Sequence, residues 1–329
     1  MNQLNNDEMK NNKCLFCYKE ILEGEEEPLK EFHKSCSSKF FGKPNPPILE
    51  YTQDEMLLLA EKVIKSQKTV TGVQPKLSLT SKKMTGNPIV ERFTIVDLWD
   101  SYILKPQTEL YEQLPEIEDV TMHLASLSNI KTVSHSLIRL KSGELAYITK
   151  RIDRIKDKKL HMEDMCQLTE RLTEHKYKGS HEQIAKAIRK YSANPGLDVI
   201  NYYELVLFCF LTGNNDMHLK NFSLLKSREL LYHLAPAYDL VASELVVEGD
   251  DEELALTLNG KKKKLNKKDF NIAMKASGIN DKSIDNIFSK FKNLLVSWHS
   301  LIDSSFLNNA LKEKYYSMID IKYEQLELE

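Results

Sequence analysis

The sequence predicts an α+β protein in which a strand-rich lobe precedes a larger helical lobe, with a small metal-binding module in front of both. The first 42 residues are dense in cysteine and histidine, and the proline-rich residues 43–47 follow them. Between residues 69 and 152, short apolar runs are separated by turn residues, which is typical of strands. After residue 154 the apolar residues recur at helical spacing. We therefore predict three parts, at residues 1–43, 44–150 and 151–329.

The individual elements follow from local patterns. Thr52 and Glu55 form a capping box that begins a helix after the proline linker. Strands are predicted at residues 77–79, 89–96, 102–105, 133–140 and 144–152, with a further short strand at 222–225. Helices are predicted at residues 115–127, 162–172, 181–191, 199–211 and 284–302. The helix at 115–127 has Pro115 in its first turn, where proline fits, and acidic residues there that suit the helix dipole. Those acidic residues are Glu116, Glu118 and Asp119.

Composition excludes several classes of protein. Of the 329 residues, 41% are hydrophobic and 29% are charged, with a formal net charge of −2, which is typical of a globular protein. The longest apolar run, residues 205–211, is far shorter than the roughly 20 residues of a membrane span. The first 30 residues lack an apolar signal region, so we expect a cytoplasmic protein without a membrane partner. Neither a dinucleotide-binding nor a P-loop glycine motif occurs.

The chemistry is concentrated between residues 212 and 240. Asp216 is followed five positions later by Asn221, and Asp239 comes 18 positions after that. Phosphoryl transfer needs a carboxylate that accepts the proton of the attacking hydroxyl, and oxygen ligands for Mg²⁺. Upstream, Lys105 ends an apolar strand and could reach the phosphates of a nucleotide. Each pattern alone is common in turns and caps, but this order is that of protein kinases.

The chain resembles the HipA-like toxin kinases, and among them the shorter HipT-type members. The resemblance rests on six stretches, at residues 69–79, 102–106, 149–154, 163–167, 213–223 and 234–240. It implies a bilobal protein-kinase-like fold and a serine/threonine protein kinase that is the toxin of a bacterial toxin–antitoxin pair. Family members phosphorylate an aminoacyl-tRNA synthetase and so arrest translation and growth. The cofactors implied are ATP and Mg²⁺.

The resemblance also implies a role for each matching residue. Asp216 is the catalytic base, Asn221 and Asp239 are the magnesium ligands, and Lys105 is the phosphate-binding lysine. The other nucleotide-binding residues are Gly72, Gln74, Lys76, Arg151, Ile152, Asp153, His218 and Tyr238. His218 has two alternative roles, a hydrogen bond to Asp216 or a purely structural one. The loop of residues 69–76 replaces a glycine-rich loop, and Thr69 or Thr71 is the candidate for autophosphorylation, whose negative charge would repel ATP.

The partners implied are a HipB-like DNA-binding antitoxin, a HipS-like small protein, or both, with DNA contacted only through the antitoxin. Two other functions stay open. One is a kinase-fold enzyme that phosphorylates a small molecule, and the other is a catalytically silent co-repressor that binds the antitoxin. The lysine-rich run at residues 261–264 is expected to be a solvated loop, with nucleic-acid contact as the alternative.

Cys14, Cys17, His33 and Cys36 form two pairs of closely spaced metal ligands. This pattern predicts a tetrahedral structural Zn²⁺ site, because zinc accepts sulfur and nitrogen ligands and a closed set of four leaves no open position. The alternative is a set of reduced, buried thiols beside an exposed histidine. The remaining cysteines, Cys166 and Cys209, stand among apolar helix positions and are predicted to lie in the core.

Overall fold

The computed structural model describes residues 12–22, 31–66, 76–84, 87–96, 101–155, 158–227, 229–247 and 249–328. The predicted loop residues Thr69, Thr71, Gly72 and Gln74 lie outside this set. The chain divides into two compact units. The first unit comprises Met1–Asp119, Ser134–Arg151 and Ser304–Phe306, and the second comprises Val120–Val133, Ile152–Asp303 and Leu307–Glu329.

The first unit is built on a five-stranded antiparallel sheet with the strand order β2-β1-β3-β5-β4. Its strands are β1 (Leu77–Met84), β2 (Asn87–Val96), β3 (Tyr102–Lys105), β4 (His135–Arg139) and β5 (Leu145–Lys150). Its helices are α1 (Lys34–Phe41) and α2 (Gln53–Ser66), and α3 (Leu114–Leu127) begins in this unit. The predicted capping box is confirmed, since the Thr52 N–H donates to Glu55 Oε2 at 2.8 Å.

Apolar side chains from both sides of the proline linker share one core in the first unit. Leu79 and Phe93 from the sheet are fully buried, as are Cys14 and Phe40 from the cysteine-rich segment. The Phe40 ring lies 5.9 Å from that of Tyr102 on β3, edge to face. Each such ring contributes roughly 1.5–3 kcal/mol by leaving water. Residue 43 marks a change in sequence composition, but the hydrophobic core contains residues from both sides of it.

The second unit is mainly helical. Its helices are α4 (Met165–Leu168), α5 (His181–Tyr191), α6 (Pro195–Leu211), α7 (Lys267–Ala276), α8 (Asp281–Lys292), α9 (Leu295–Ser304) and α10 (Asn309–Gln325). Its strands are β6 (Arg154–Ile155), β7 (Lys158–Lys159), β8 (Met162–Asp164), β9 (Ser223–Lys226) and β10 (Tyr232–Leu234). The last three form an antiparallel sheet in the order β10-β9-β8. Helix α6 is buried at every position of its continuous apolar run, residues 205–211.

The predicted α+β class is confirmed, but two helix predictions were wrong in extent. Residues 162–172 contain only the four-residue helix α4, because Met162 pairs with Leu225 of β9 and so begins a strand. The expected helix over residues 284–302 is two helices, α8 and α9, with Asn293 as the cap that ends the first. Both differences arise from tertiary contacts that helical periodicity does not report. No helix within the described ranges has the length and apolarity needed to cross a membrane.

Candidate active site

The loop that carries Asp216 is held by the turn that ends helix α6. Gly213 follows the helix with a φ of +62°, and a Cβ at this position would lie 2.3 Å from Met318 Sδ and 3.0 Å from Glu244 Cβ. Only glycine satisfies both the left-handed backbone and the close contact. The Gly213 carbonyl accepts the Glu244 N–H at 3.0 Å. The start of the loop is therefore fixed by packing inside the second unit.

Asn215 fastens the same loop to a neighbouring segment. Its backbone N–H donates to Ser243 Oγ at 3.1 Å, and its Nδ2 donates to Asp250 Oδ2 at 3.3 Å and to the Glu252 carbonyl at 3.2 Å. Asn215 is buried, and these hydrogen bonds of its side-chain amide attach the loop to residues 243–252. Asn215 therefore stabilises the loop, and Asp216, the next residue, is exposed to solvent.

Asp216 is exposed, in contrast to its neighbours. Its Oδ1 accepts a hydrogen bond from the Tyr177 hydroxyl at 2.7 Å. Burial, and then this contact, raise the pKa of Tyr177 above its usual value, so the phenol stays neutral and remains the donor. The Asp216 carboxylate can therefore accept a hydrogen bond from a hydroxyl group, which is the first requirement of a general base.

Asn221 and Asp239 lie side by side. Asn221 closes a short 3-10 helix, Leu219–Asn221, whose first residue is fully buried. Asn221 Nδ2 donates to Asp239 Oδ2 at 3.0 Å, and Asn221 Oδ1 accepts the His218 N–H at 3.3 Å. Asp239 has a φ of +61°, a left-handed conformation that aspartate tolerates better than most residues. This pairing of an amide and a carboxylate offers the oxygen ligands that Mg²⁺ prefers.

His218 and Tyr238 surround this pair in different ways. Burial, and secondarily the charge of Lys176, lower the pKa of His218, so its ring is neutral near pH 7. Among the described residues, its buried Nδ1 has no hydrogen-bond partner, and no hydrogen bond joins its ring to Asp216. The Tyr238 hydroxyl contacts the Lys220 carbonyl at 3.0 Å and Ser223 Oγ at 2.6 Å. That hydroxyl therefore holds the turn containing Asn221.

Lys105 belongs to the first unit and ends strand β3. It is only 3% exposed, and its Nζ lies 2.5 Å from Oε1 of the fully buried Glu118 on helix α3. The same Nζ lies 5.4 Å from the centre of the Tyr147 ring. A strand lysine paired with a helix glutamate is the arrangement that holds the phosphate-binding lysine in protein kinases.

Glu118 is the partner of Lys105 that sequence reasoning missed. In the sequence it was one of three acidic residues near the start of a helix, a pattern that the helix dipole explains without any partner. The signal that could have identified it is a glutamate on the helix that follows a lysine-ended strand. Its burial could not be foreseen, because it depends on the ion pair with Lys105.

Three of the predicted nucleotide-binding residues, Arg151, Ile152 and Asp153, lie where this part of the chain leaves the first unit at Arg151 and enters the second at Ile152. The Arg151 N–H donates to the Ser101 carbonyl at 2.9 Å within the first unit. The Asp153 carboxylate is paired with the neighbouring Arg154 guanidinium in the second unit. Lys76, immediately before β1, is exposed.

The four predicted metal ligands of the cysteine-rich segment lie together. The Sγ atoms of Cys14, Cys17 and Cys36 and one ring nitrogen of His33 all lie within 4.8 Å of one another. His33 Nδ1 is 3.4 Å from the Cys17 sulfur, and His33 Nε2 is 3.1 Å from the Glu20 carbonyl. Burial is the main cause that raises the pKa of Cys36, to about 12, so a bound metal would have to displace its proton. This set of donors could hold one metal ion.

The structure also shows the surroundings of the two remaining cysteines and of the lysine-rich run. Cys166 and Cys209 are buried, as predicted. In the lysine-rich run at residues 261–264, three of the four lysines are paired with acidic side chains. The pairs are Lys261 with Asp269 at 2.9 Å, Lys262 with Glu252 at 3.0 Å and Lys263 with Asp251 at 2.6 Å. These pairs reduce the net positive charge that this loop offers to nucleic acid.

Two curated proteins are similar to part of this sequence. A protein of Haemophilus influenzae named "Putative kinase" is 29% identical over 212 residues, which cover 60% of this chain and 58% of that protein. The "Putative kinase Y4dM" of Sinorhizobium fredii is 32% identical over 197 residues, covering 56% of this chain and 47% of that protein. The chain thus spans about half the length of these curated relatives.

Solved structures share the fold. The complex of HipA, HipB and operator DNA from the toxin–antitoxin system of Shewanella oneidensis MR-1 aligns with a TM-score of 0.65 at 19% identity, covering 81% of this chain and 70% of that one. The Helicobacter pylori proinflammatory kinase CtkA aligns with a TM-score of 0.51 at 18% identity, covering 68% and 87%. The family model of the HipA-like C-terminal domain matches residues 69–298. The resemblance drawn from the motifs is therefore confirmed, and the chain belongs to the HipA-like C-terminal domain family.

Proposed function

We propose that this protein is an ATP- and Mg²⁺-dependent serine/threonine protein kinase that acts as the toxin of a bacterial toxin–antitoxin system. One observation carries the proposal. The Asp216 carboxylate is exposed and accepts a hydroxyl hydrogen bond at 2.7 Å, in the same unit as the contacting pair Asn221 and Asp239. A serine or threonine hydroxyl of a substrate would take the place of the Tyr177 hydroxyl on Asp216.

The chemistry then follows from these side chains. The substrate hydroxyl donates its hydrogen bond to Asp216, and its oxygen attacks the γ-phosphorus of ATP. The new oxygen–phosphorus bond forms as the bond to the β,γ-bridging oxygen breaks, and ADP leaves. Asp216 takes the proton and returns it to solvent. Asn221 and Asp239 would hold Mg²⁺, which neutralises phosphate charge when bound, and Lys105 would contact the phosphates.

The finer assignments are part of the same proposal. An aminoacyl-tRNA synthetase is the proposed substrate, and a HipB-like antitoxin, a HipS-like small protein, or both are the proposed partners. We propose Zn²⁺ as the ion of the Cys14, Cys17, His33 and Cys36 cluster, because three thiolates and one imidazole are a typical structural zinc set. Autophosphorylation at Thr69 or Thr71 would disable the kinase by charge repulsion.

The experiment adds labelled ATP to cell lysate with the wild type, Asp216→Ala, Asp239→Ala and the control Asp251→Ala. Asp251 is an exposed acid whose partner is Lys263, so its removal should leave transfer unchanged. We expect one strongly labelled protein band with the wild type and the control, and a loss of about 10²–10⁴-fold with Asp216→Ala. Expression of the wild type, but not of the Asp216→Ala variant, should arrest growth.

The alternatives predict different results. Label found only in a small molecule would replace the proposal with a small-molecule phosphotransferase. The absence of any label, with the folded wild type in hand, would favour a silent co-repressor. Mass spectrometry of the labelled band identifies the substrate and any modified threonine.

A further inference from the structure

We propose that Tyr18 is a positioning residue that links the cysteine–histidine cluster to the Lys105–Glu118 ion pair. The proposal rests on the proposed function only in assigning Lys105 to ATP. It states that the position of the phosphate-binding lysine depends on the metal-binding turn of the cysteine-rich segment. All of the contacts involved lie within the first unit.

The first step concerns the position of Tyr18. It directly follows Cys17, has a φ of +63°, and donates its N–H to the Cys14 carbonyl at 2.9 Å. Left-handed backbone is unfavourable for tyrosine, so the turn between the two cysteines must hold it. A metal ion bound by Cys14 and Cys17 would fix this turn. The direction of the Tyr18 side chain is thus set by the ligand turn.

The second step concerns the other end of the side chain. The Tyr18 hydroxyl donates to Asp119 Oδ2 at 2.6 Å, although the two residues are 101 positions apart in the sequence. Tyr18 is 4% exposed and Asp119 is completely buried. Because the acceptor is a buried carboxylate, this hydrogen bond is charge-assisted and strong. Asp119 directly follows Glu118 on helix α3, so the bond acts next to the partner of Lys105.

The third step concerns His135 and Tyr147, which lie between Asp119 and Lys105. His135 Nδ1 lies 2.7 Å from the other Asp119 oxygen, Oδ1. The His135 ring stacks on the Tyr147 ring, with centroids 5.9 Å apart. Lys105 Nζ lies 5.4 Å from the centre of that same Tyr147 ring. Asp119 is therefore linked to the Lys105 environment both through its helix neighbour Glu118 and through two stacked rings.

The physical consequence is that a small displacement of Asp119 changes the Lys105–Glu118 distance. A buried ion pair gains its energy only in good geometry, because both charges have lost their hydration. Buried polar networks are also cooperative, so loss of one bond weakens the others. The Tyr18 ring itself packs edge to face on Phe306 at 5.4 Å, and this contact does not need the hydroxyl. The role of the hydroxyl can therefore be tested separately from packing.

The test compares Tyr18→Phe with the matched control Tyr51→Phe. Tyr51 packs against the same core, and its hydroxyl forms no hydrogen bond to any residue that the structure describes. Three quantities are measured on the intact protein: bound zinc by elemental analysis, labelling of Lys105 by an amine-reactive reagent with mass spectrometry, and the Kd for ATP with Mg²⁺.

We expect Tyr18→Phe to keep its zinc while Lys105 is labelled roughly tenfold faster and ATP binds roughly tenfold more weakly, since a lost charge-assisted hydrogen bond has about that effect on an equilibrium constant. Tyr51→Phe should match the wild type in all three. Unchanged Lys105 labelling in folded Tyr18→Phe would overturn the proposal. If that variant does not fold, Asp119→Asn tests the same link from helix α3 with the same criterion. The two proposals can fail separately. If Lys105 is labelled slowly in the wild type and faster in Tyr18→Phe, but the wild type does not bind ATP, the proposed function is refuted and the role of Tyr18 is supported.

Discussion

Lys105 and Asp216, the proposed catalytic residues of the two units, are held in opposite ways. Lys105 is almost completely buried and is paired with the buried Glu118 of another element, next to Asp119, which accepts a hydrogen bond from the distant Tyr18. Asp216 is exposed and stands on a short loop whose anchors are backbone turns and amide contacts. The comparison teaches that the proposed reaction would combine a cation preorganised by tertiary structure with a base preorganised by a local motif.

The largest effect that separates the two units is expected from metal removal. In the variant Cys14→Ser/Cys36→Ser the proposed zinc, close to one equivalent in the wild type, should be lost. Structural zinc is worth roughly 10–16 kcal/mol in small peptides, so the first unit should open. Hydrogen exchange should then rise for β1 to β5 and remain low for helix α6, which has its own core.

The control for this experiment is Cys166→Ala, which removes a buried cysteine outside the ligand set. Its zinc content should equal that of the wild type. Wild-type protein that folds and contains no metal would contradict the zinc proposal. Equal loss of protection in both units would contradict the contrast between them.

The next largest effect is expected from removing the charge of Glu118, the partner of Lys105, or the charge of Asp216. Glu118→Gln leaves the Lys105 charge buried without its carboxylate, which should cost about 3–5 kcal/mol of folding free energy. Asp216→Asn alters an exposed group and should change stability by less than about 0.5 kcal/mol. Both variants should lose phosphate transfer. Urea unfolding together with the labelled-ATP assay separates the two cases, and a stable Glu118→Gln protein would break the comparison.

A smaller effect concerns pH, and its sign differs between the units. Burial lowers the pKa of His181 in the second unit from 6.5 to about 3 and raises that of Glu116 in the first unit from 4.5 to about 7. Below pH 6.5 the unfolded chain binds a proton at His181 that the folded chain does not, so the second unit loses stability as pH falls towards 3. Between pH 4.5 and 7 the folded chain keeps a proton at Glu116, so the first unit loses stability as pH rises.

Hydrogen exchange of each unit between pH 4.5 and 7.5 measures these slopes after correction for intrinsic exchange rates. His181→Gln should flatten the slope of the second unit, and Glu116→Gln that of the first. Parallel slopes in the two units of the wild type would contradict the assignment.

The smallest expected effect is that of Tyr177→Phe. Removing the hydroxyl frees Asp216 from a 2.7 Å hydrogen bond that a substrate hydroxyl must replace. We expect phosphate transfer to rise by about two- to fivefold, since the net worth of a part-exposed hydrogen bond is near 0.5–1 kcal/mol. Steady-state rates at low substrate concentration measure this change. A large loss of activity would instead assign Tyr177 a direct part in catalysis.

Sequence reasoning succeeded where the structure is local. Strand β3 and helix α5 have the predicted bounds, because breakers and caps flank them. Asn221 and Asp239 were selected by their spacing from Asp216, and the structure places their side chains in contact at 3.0 Å, while their role as metal ligands stays a prediction. Glu118 was missed because its partner, Lys105, belongs to another secondary-structure element. The strand at residues 162–164 was missed for the same reason, as its partner β9 is about 60 residues away. The hydrogen bond between Tyr18 and Asp119 joins residues 101 positions apart, so no local pattern predicts it.

The left-handed backbone at Asp239 has a practical consequence for trapping the proposed kinase with ATP. Alanine would relax poorly into a φ of +61°, so a loss of activity in Asp239→Ala would combine the removal of the proposed metal ligand with a distorted loop. Asparagine tolerates this conformation and keeps one carbonyl oxygen, so Asp239→Asn removes the negative charge without moving the chain. That substitution is the suitable choice for crystallising an unreactive complex with intact ATP.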